Sequence, residues 1–275
     1  MGIPYAEVIG DPIAHSKSPL IHKFWLEKLG LEGDYRACLV RPAELGSYFE
    51  VRARDENWRG CSITMPHKIE ALRYAPKHRD PSFPVEAINT AVRHETGELE
   101  GVNTDVSGLL EPLLREDSRL GIARGAAVVV GAGGVLFSVM MALATLGYGP
   151  IWIAMRDRAK MAKVADDYKG VNGFPIPLAN PLPPARLLVN ATPLGMSGFP
   201  PFPLSLDSIE EGGIVFDLVY APVETRLLRE AEARGLRTRD GLTMLVGQAA
   251  AAFQLFFGQP APRHFDGELR GRLVA

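Results

Sequence analysis

The most constraining stretch of this chain is the apolar run from Ala126 to Val130, which passes directly into Gly131-Ala132-Gly133-Gly134 and then into an apolar helical segment, Val135 to Leu146. A buried strand that reverses through glycines into a helix is the opening of a βαβ unit. Such a turn can bring backbone N–H groups at a helix N-terminus against a pyrophosphate. As a GxGxxG fingerprint the turn is imperfect, because Leu136 stands at the third glycine position. Its context favours dinucleotide binding over a plain structural turn. Ile151 to Met155, Leu187 to Val189 and Ile214 to Asp217 read as further strands, the rhythm of a doubly wound nucleotide fold.

The end of the strand after such a turn selects between cofactors. An acidic residue there suits the free ribose of NAD, and an arginine suits the extra phosphate of NADP. Here the segment is Met155-Arg156-Asp157-Arg158-Ala159-Lys160. Arg156 is placed for that phosphate, with Arg158 or Lys160 in support. Asp157 keeps NAD open, and a solvated charged turn is the competing structural reading.

The first half carries a different chemistry. Ala6 to Ile9 reads as a strand ending at Gly10-Asp11-Pro12. In His15-Ser16-Lys17-Ser18-Pro19, Ser18 reads as a helix N-cap with Pro19 at the first helical position, and Gly30 as the stop. Hydroxyls at a helix start can receive a carboxylate, although capping alone would explain Ser18. Cys61 to Thr64 is a second strand, with Pro66 read as opening a helix that places Lys68 in its first turn. A cation there opposes the helix dipole, a poor structural choice and a sensible one for proton transfer. Ala87 to Val92 and Leu99 to Asn103 read as a hairpin around Thr96-Gly97, bringing Asn89-Thr90 and Asn103-Thr104-Asp105 towards that lysine. Asp105 precedes a helix from about Val106 to Leu114, where an N-cap role is the ordinary one. Gly195 to Pro203 is a Pro-rich loop, and the segment from Gly241 is helical.

Bulk properties exclude several classes. A net charge of -2 argues against general nucleic-acid binding, which needs a basic surface. No apolar run reaches the length of a membrane span, and the first residues lack the charged and apolar regions of an export signal. Cys38 and Cys61 are the only cysteines and form no CxxC, and the six histidines show no metal spacing. A cytoplasmic protein without metal, with a small-molecule substrate and no nucleic-acid or membrane partner, is the expectation.

Taken jointly and in order, these motifs resemble the shikimate dehydrogenase family from Gly10 to Gly258. The resemblance implies an α/β protein of two domains. Residues 1–105, completed by 241–275, would form an α/β substrate domain, and 106–240 a Rossmann-like dinucleotide-binding domain. It implies reversible NADP-dependent reduction of 3-dehydroshikimate to shikimate in aromatic amino acid biosynthesis, by a monomer or homodimer. Lys68 and Asp105 would be catalytic. Ser16 and Ser18 would hold the substrate carboxylate; Thr64, Asn89, Asp105 and Gln248 its hydroxyls; Tyr220, of Asp217-Leu218-Val219-Tyr220-Ala221-Pro222, would lie near it. Gly131, Ala132, Gly133, Gly134, Arg156, Asn190, Thr192, Met196 and Gly241 would line the cofactor. A quinate or aminoshikimate dehydrogenase, or a small-molecule-binding protein of this fold with weakened catalysis, is the alternative.

The chain also departs from the family pattern. Val135-Leu136-Phe137-Ser138 replaces small residues and a cation after the glycine turn; Leu136 is expected to crowd the pyrophosphate and to weaken cofactor binding. Met155 and Asp157 flank Arg156 in place of Asn and Thr. Glu86 replaces a glycine before Ala87, and Lys23 replaces an Asn after His22.

Overall fold

A computed structural model of the chain describes residues 2–76, 87–120 and 124–275, the side chains of 115–120 excepted. Glu86 lies outside the described residues. The chain forms two compact units, with changes of unit after Asp105 and before Val246.

The first unit is built from β1 (Tyr5–Gly10), α1 (Ser18–Leu29), β2 (Asp34–Leu39), α2 (Leu45–Ala53), β3 (Trp58–Ile63), β4 (Thr90–Arg93) and β5 (Leu99–Val102). Its sheet runs β2-β1-β3-β4-β5, with β2, β1 and β3 parallel and the β4–β5 hairpin antiparallel. Ile9, Trp58, Cys61, Ile63 and Ile88 pack on one face of the sheet, and Ala6, Val8 and Tyr35 on the other. β1 is therefore buried along its whole length, as a parallel central strand covered on both faces must be.

The chain enters the second unit one residue into α3 (Asp105–Leu120) and continues with β6 (Ala127–Val130), α4 (Leu136–Thr145), β7 (Ile151–Met155), α5 (Met161–Tyr168), β8 (Gly173–Pro177), β9 (Ala185–Asn190), β10 (Ile209–Asp217), α6 (Arg226–Ala233), β11 (Arg237–Arg239) and α7 (Gly241–Phe257). α7 runs from this unit into the first, which α8 (Asp266–Val274) completes. The six strands are all parallel and ordered β8-β7-β6-β9-β10-β11. In sequence rank this is 3-2-1-4-5-6, the doubly wound order whose switch point lies between β6 and β9. Ala127 and Val129 face one core layer, Val128 and Val130 the other. The expected α/β architecture is present.

Three local expectations are corrected. Ser18 is the first residue of α1, not its cap; Lys17 is the N-cap residue, and the Ser16 hydroxyl accepts the Ser18 N–H at 3.3 Å. Pro66 opens no α-helix. A single 3-10 turn, Glu70–Arg73, begins beyond Lys68, so the dipole argument for Lys68 does not apply. The reason is a contact from a residue distant in sequence. The Lys68 carbonyl accepts the Ile88 N–H at 2.9 Å, which removes it as a helical acceptor. The helix expected from Val106 to Leu114 extends from Asp105 to Leu120.

Candidate active site

Lys68 is held in place from both sides. Its carbonyl is tied to Ile88, and the neighbouring His67 is 2% exposed, with Nε2 donating to the Val40 carbonyl at 2.7 Å. A carbonyl can only accept, so that ring nitrogen carries the proton. The Lys68 ammonium then meets the Asp105 carboxylate, Nζ to Oδ2, at 2.5 Å. The two side chains are 18% and 8% exposed, so water competes weakly for either charge.

The other Asp105 oxygen belongs to Asn89, whose Nδ2 donates to Oδ1 at 2.9 Å. Asn89 is buried at the hairpin entry. Its Oδ1 accepts the Thr104 N–H at 2.6 Å, which fixes the amide's orientation. Nδ2 also lies 3.0 Å from Thr104 Oγ1 and 3.5 Å from Gln248 Oε1, which reaches in from α7. Lys68, Asp105, Asn89 and Gln248 are therefore joined in one network drawn from four segments of the first unit. The convergence of the two Asn-Thr pairs holds only partly. Asn103 turns to the Ala87 carbonyl at 2.8 Å, and Thr104 takes the place expected of it.

Ser16, Ser18 and Thr64 lie in the same unit, at the C-terminal ends of β1 and β3. Ser18 is buried and Thr64 half-buried, with its N–H on the Ile9 carbonyl. Asp105 does not act as an N-cap; as the first residue of α3 it spends both carboxylate oxygens on Lys68 and Asn89.

In the second unit the glycine turn sits at the switch point. Gly131 has φ +108°, and a Cβ there would lie 2.7 Å from the Thr192 methyl, so only glycine fits between the ends of β6 and β9. Gly133 and Gly134 are different. Both are exposed, and a Cβ on either would meet open space. The protein does not require glycine there, whereas a ligand approaching the backbone would. The turn thus fits a pyrophosphate. Leu136 and Phe137, each 4% exposed, point into the protein, with Leu136 among the core residues of α4 and β6. The expectation that Leu136 crowds the pyrophosphate is corrected: its side chain belongs to the core.

Asp157 is committed locally. It caps the following 3-10 turn, accepting the Ala159 N–H at 3.1 Å, and pairs with Lys160 at 3.4 Å. Arg156 and Arg158 are exposed, with no ion pair among the described residues. Met155 is buried in the core.

Asn190, expected beside the cofactor, is fully buried and uses all its hydrogen-bonding capacity inside the protein. Nδ2 donates to the Leu194 carbonyl and Asp217 Oδ1; Oδ1 accepts from the Thr192 N–H and hydroxyl. It shapes the loop that bears Thr192 and Met196 rather than presenting a group to a ligand. Asp217 also accepts from the Val219 N–H and, at 2.6 Å, from the Thr225 hydroxyl. Burial nevertheless holds its carboxyl above the usual range. Thr225 in turn caps α6. Sequence reasoning missed Thr225, whose signal was a lone Thr before the helical run Arg226 to Ala233. Tyr220 is half-buried in the loop after β10, its phenol raised by burial. Gly241 starts α7 so close to that loop that a Cβ would lie 2.2 Å from the Leu218 carbonyl oxygen.

The chain is similar to known proteins along nearly its whole length. The family described as shikimate dehydrogenase substrate binding domain matches residues 8–91, and the shikimate 5'-dehydrogenase C-terminal domain matches 241–264. A shikimate dehydrogenase (NADP(+)) of Sphingopyxis alaskensis is 49% identical over 273 residues, 99% of this chain and 97% of that protein. One of Methylobacterium radiotolerans is 41% identical over 282 residues, again 99% and 97%. Among solved structures, the Thermus thermophilus shikimate 5-dehydrogenase in complex with NADP(H) and shikimate superposes with a TM-score of 0.82 at 35% identity. The match covers 98% of this chain and all of that one. A Corynebacterium glutamicum quinate dehydrogenase in complex with NAD gives 0.85 at 28% identity, over 98% and 99% of the two chains.

Proposed function

The chain belongs to the shikimate dehydrogenase family, and from that premise we propose that it interconverts 3-dehydroshikimate and shikimate with NADP. The observation that carries the reading is the Lys68–Asp105–Asn89–Gln248 network, a buried acid/base pair framed by hydroxyl-binding amides.

When bound, the nicotinamide dinucleotide supplies or accepts the hydride. The chain's own residues do the rest. Lys68 Nζ gives a proton to the substrate oxygen during reduction and takes it back during oxidation. Asp105 holds the ammonium at one position and orients the substrate hydroxyl, so the proton donor need not be recruited from solvent. Asn89 and Gln248 present amide groups to ring hydroxyls, with Thr64 beside them. Ser16 and Ser18 take the carboxylate with their hydroxyls. Tyr220 is assigned to the substrate as well.

On the cofactor side, the backbone of Gly131 to Gly134 takes the pyrophosphate, and Gly241, packed on the loop after β10, is assigned to the cofactor as well. Thr192 and Met196 are assigned to the nicotinamide end, in a loop that Asn190 holds. Arg156, with Arg158, binds the phosphate that distinguishes NADP. The engagement of Asp157 with Ala159 and Lys160 supports that choice, because it occupies the one carboxylate that would favour NAD. Two free cysteines support a reducing, cytoplasmic setting. Among the described residues no helix is long and apolar enough to cross a membrane.

Calorimetric titration with NADP and NAD, each with and without shikimate, tests this reading. NADP should bind the more tightly, and shikimate should bind as well. Absence of both interactions would refute it.

A further inference from the structure

Thr90 has no place in the assignments above, yet it is fully buried beside them. It opens β4, paired with Ser62 on one side and Val102 on the other. Its Oγ1 lies 3.2 Å from Asn89 Oδ1 and 3.2 Å from Thr104 Oγ1. The Thr104 hydroxyl in turn is 3.2 Å from Asn89 Oδ1 and 3.5 Å from Gln248 Oε1. Two buried hydroxyls thus stand behind the amide of Asn89 and extend towards Gln248.

That amide has an orientation to defend. With Nδ2 towards Asp105 it donates to a carboxylate. Turned over, it would set its own oxygen against the same carboxylate, with nothing to donate. The Thr104 N–H holds one lone pair of Asn89 Oδ1, and a carbonyl oxygen has two. The Thr104 hydroxyl, also 3.2 Å from Oδ1, accepts from Nδ2 of the same amide at 3.0 Å, so the Thr90 hydroxyl is the one placed to hold the second.

We propose that Thr90 is a positioning residue for the proton-transfer pair. Its hydroxyl completes the shell around Asn89 Oδ1, Asn89 fixes Asp105, and Asp105 fixes the Lys68 ammonium. Thr90 meets neither substrate nor cofactor; it acts through Asn89. This rests on the dehydrogenase reading of the site.

Two substitutions separate positioning from packing. Thr90→Val keeps the shape and removes the hydroxyl; Thr90→Ser keeps the hydroxyl and removes a methyl from the core. If Thr90 positions Asn89, Thr90→Val lowers kcat on the order of tenfold, the equivalent of one hydrogen bond. Its KM for NADP should stay within about twofold of wild type, because no residue assigned to the cofactor is touched. Thr90→Ser should retain wild-type kcat despite a lower melting temperature. Activity would then follow the hydroxyl while stability follows the methyl. Wild-type kcat in Thr90→Val, or an equal loss in both variants, would overturn the proposal. If Thr90→Val does not fold, Thr90→Ala replaces it, with the same expected fall in kcat relative to Thr90→Ser. A wild-type protein that turned over shikimate with neither NADP nor NAD would refute the dehydrogenase reading and this role with it. An active wild type with an indifferent Thr90 would refute the role alone.

Discussion

The Lys68 ammonium and the Asp105 carboxylate are 37 residues apart in sequence and 2.5 Å apart in the fold, and Asn89 binds the oxygen of Asp105 that Lys68 leaves. Each oxygen of the carboxylate thus has its own donor. As the proposed acid/base group, Lys68 contributes to the chemical step more than to binding. Lys68→Ala should lower kcat by a factor on the order of 10² to 10⁴ with KM little changed. Steady-state kinetics beside a thermal melt check this. A raised KM with unchanged kcat would make Lys68 a binding group.

In the proposed function, cofactor choice turns on Arg156. Only NADP carries the additional phosphate, so Arg156→Ala should weaken NADP about ten- to a hundredfold and leave NAD nearly unchanged. Fluorescence titration with the two reduced cofactors measures both. Equal losses would place Arg156 against the adenine or in support of the fold.

Leu136 and Phe137 make a prediction about stability rather than affinity. Both are buried at the start of α4. Leu136→Ser with Phe137→Arg should therefore cost roughly 2–5 kcal/mol and should not tighten NADP binding. Denaturant unfolding and calorimetry test the two halves. A stable double mutant that bound NADP more tightly would restore the idea that this turn limits the cofactor.

His22 sets an acid limit to stability. It is fully buried, stacked on Tyr35 at 3.9 Å between ring centroids, with neither ring nitrogen hydrogen-bonded among the described residues. Burial pushes its pKa down to about 3 from an ordinary 6.5. A depressed folded-state value means that the unfolded chain takes the proton first. The stability from this neutral histidine is complete above about pH 6.5 and is lost as the pH falls towards 3. Between neutral pH and about pH 4.5 the loss is roughly 2–3 kcal/mol. His22→Phe, which keeps an aromatic ring on Tyr35, should be less acid-sensitive by that amount in urea midpoints. Parallel pH profiles for the two proteins would contradict this.

Much of this was legible in the sequence, for identifiable reasons. The second unit announced itself through apolar stretches bounded by glycine: Ile151 to Met155 was read with its observed ends, and α7 begins at Gly241 as expected. β8 escaped because Pro175 and Pro177 argue against a strand; as an edge strand paired only to β7 it tolerates them. At the site, residue types were legible and partnerships were not. Pro66 looked like a helix start because the Ile88 N–H that claims the Lys68 carbonyl is distant in sequence. Asn103 and Thr104 could not be told apart as partners of Asn89, since one residue's difference in a turn decides which side chain faces inwards. Leu136 seemed to face the ligand because sequence gives its position in the turn and not the direction of its side chain.

In the proposed function, one network of unit-one side chains serves proton transfer for an NADP-linked oxidation of shikimate. The most direct measurement is the initial rate at which purified protein reduces NADP with shikimate, compared with NAD and with quinate in the same assay. Turnover with shikimate and NADP, faster than with NAD or with quinate, is the predicted result. No reduction of either cofactor by either substrate, in protein that is folded by circular dichroism, would contradict it.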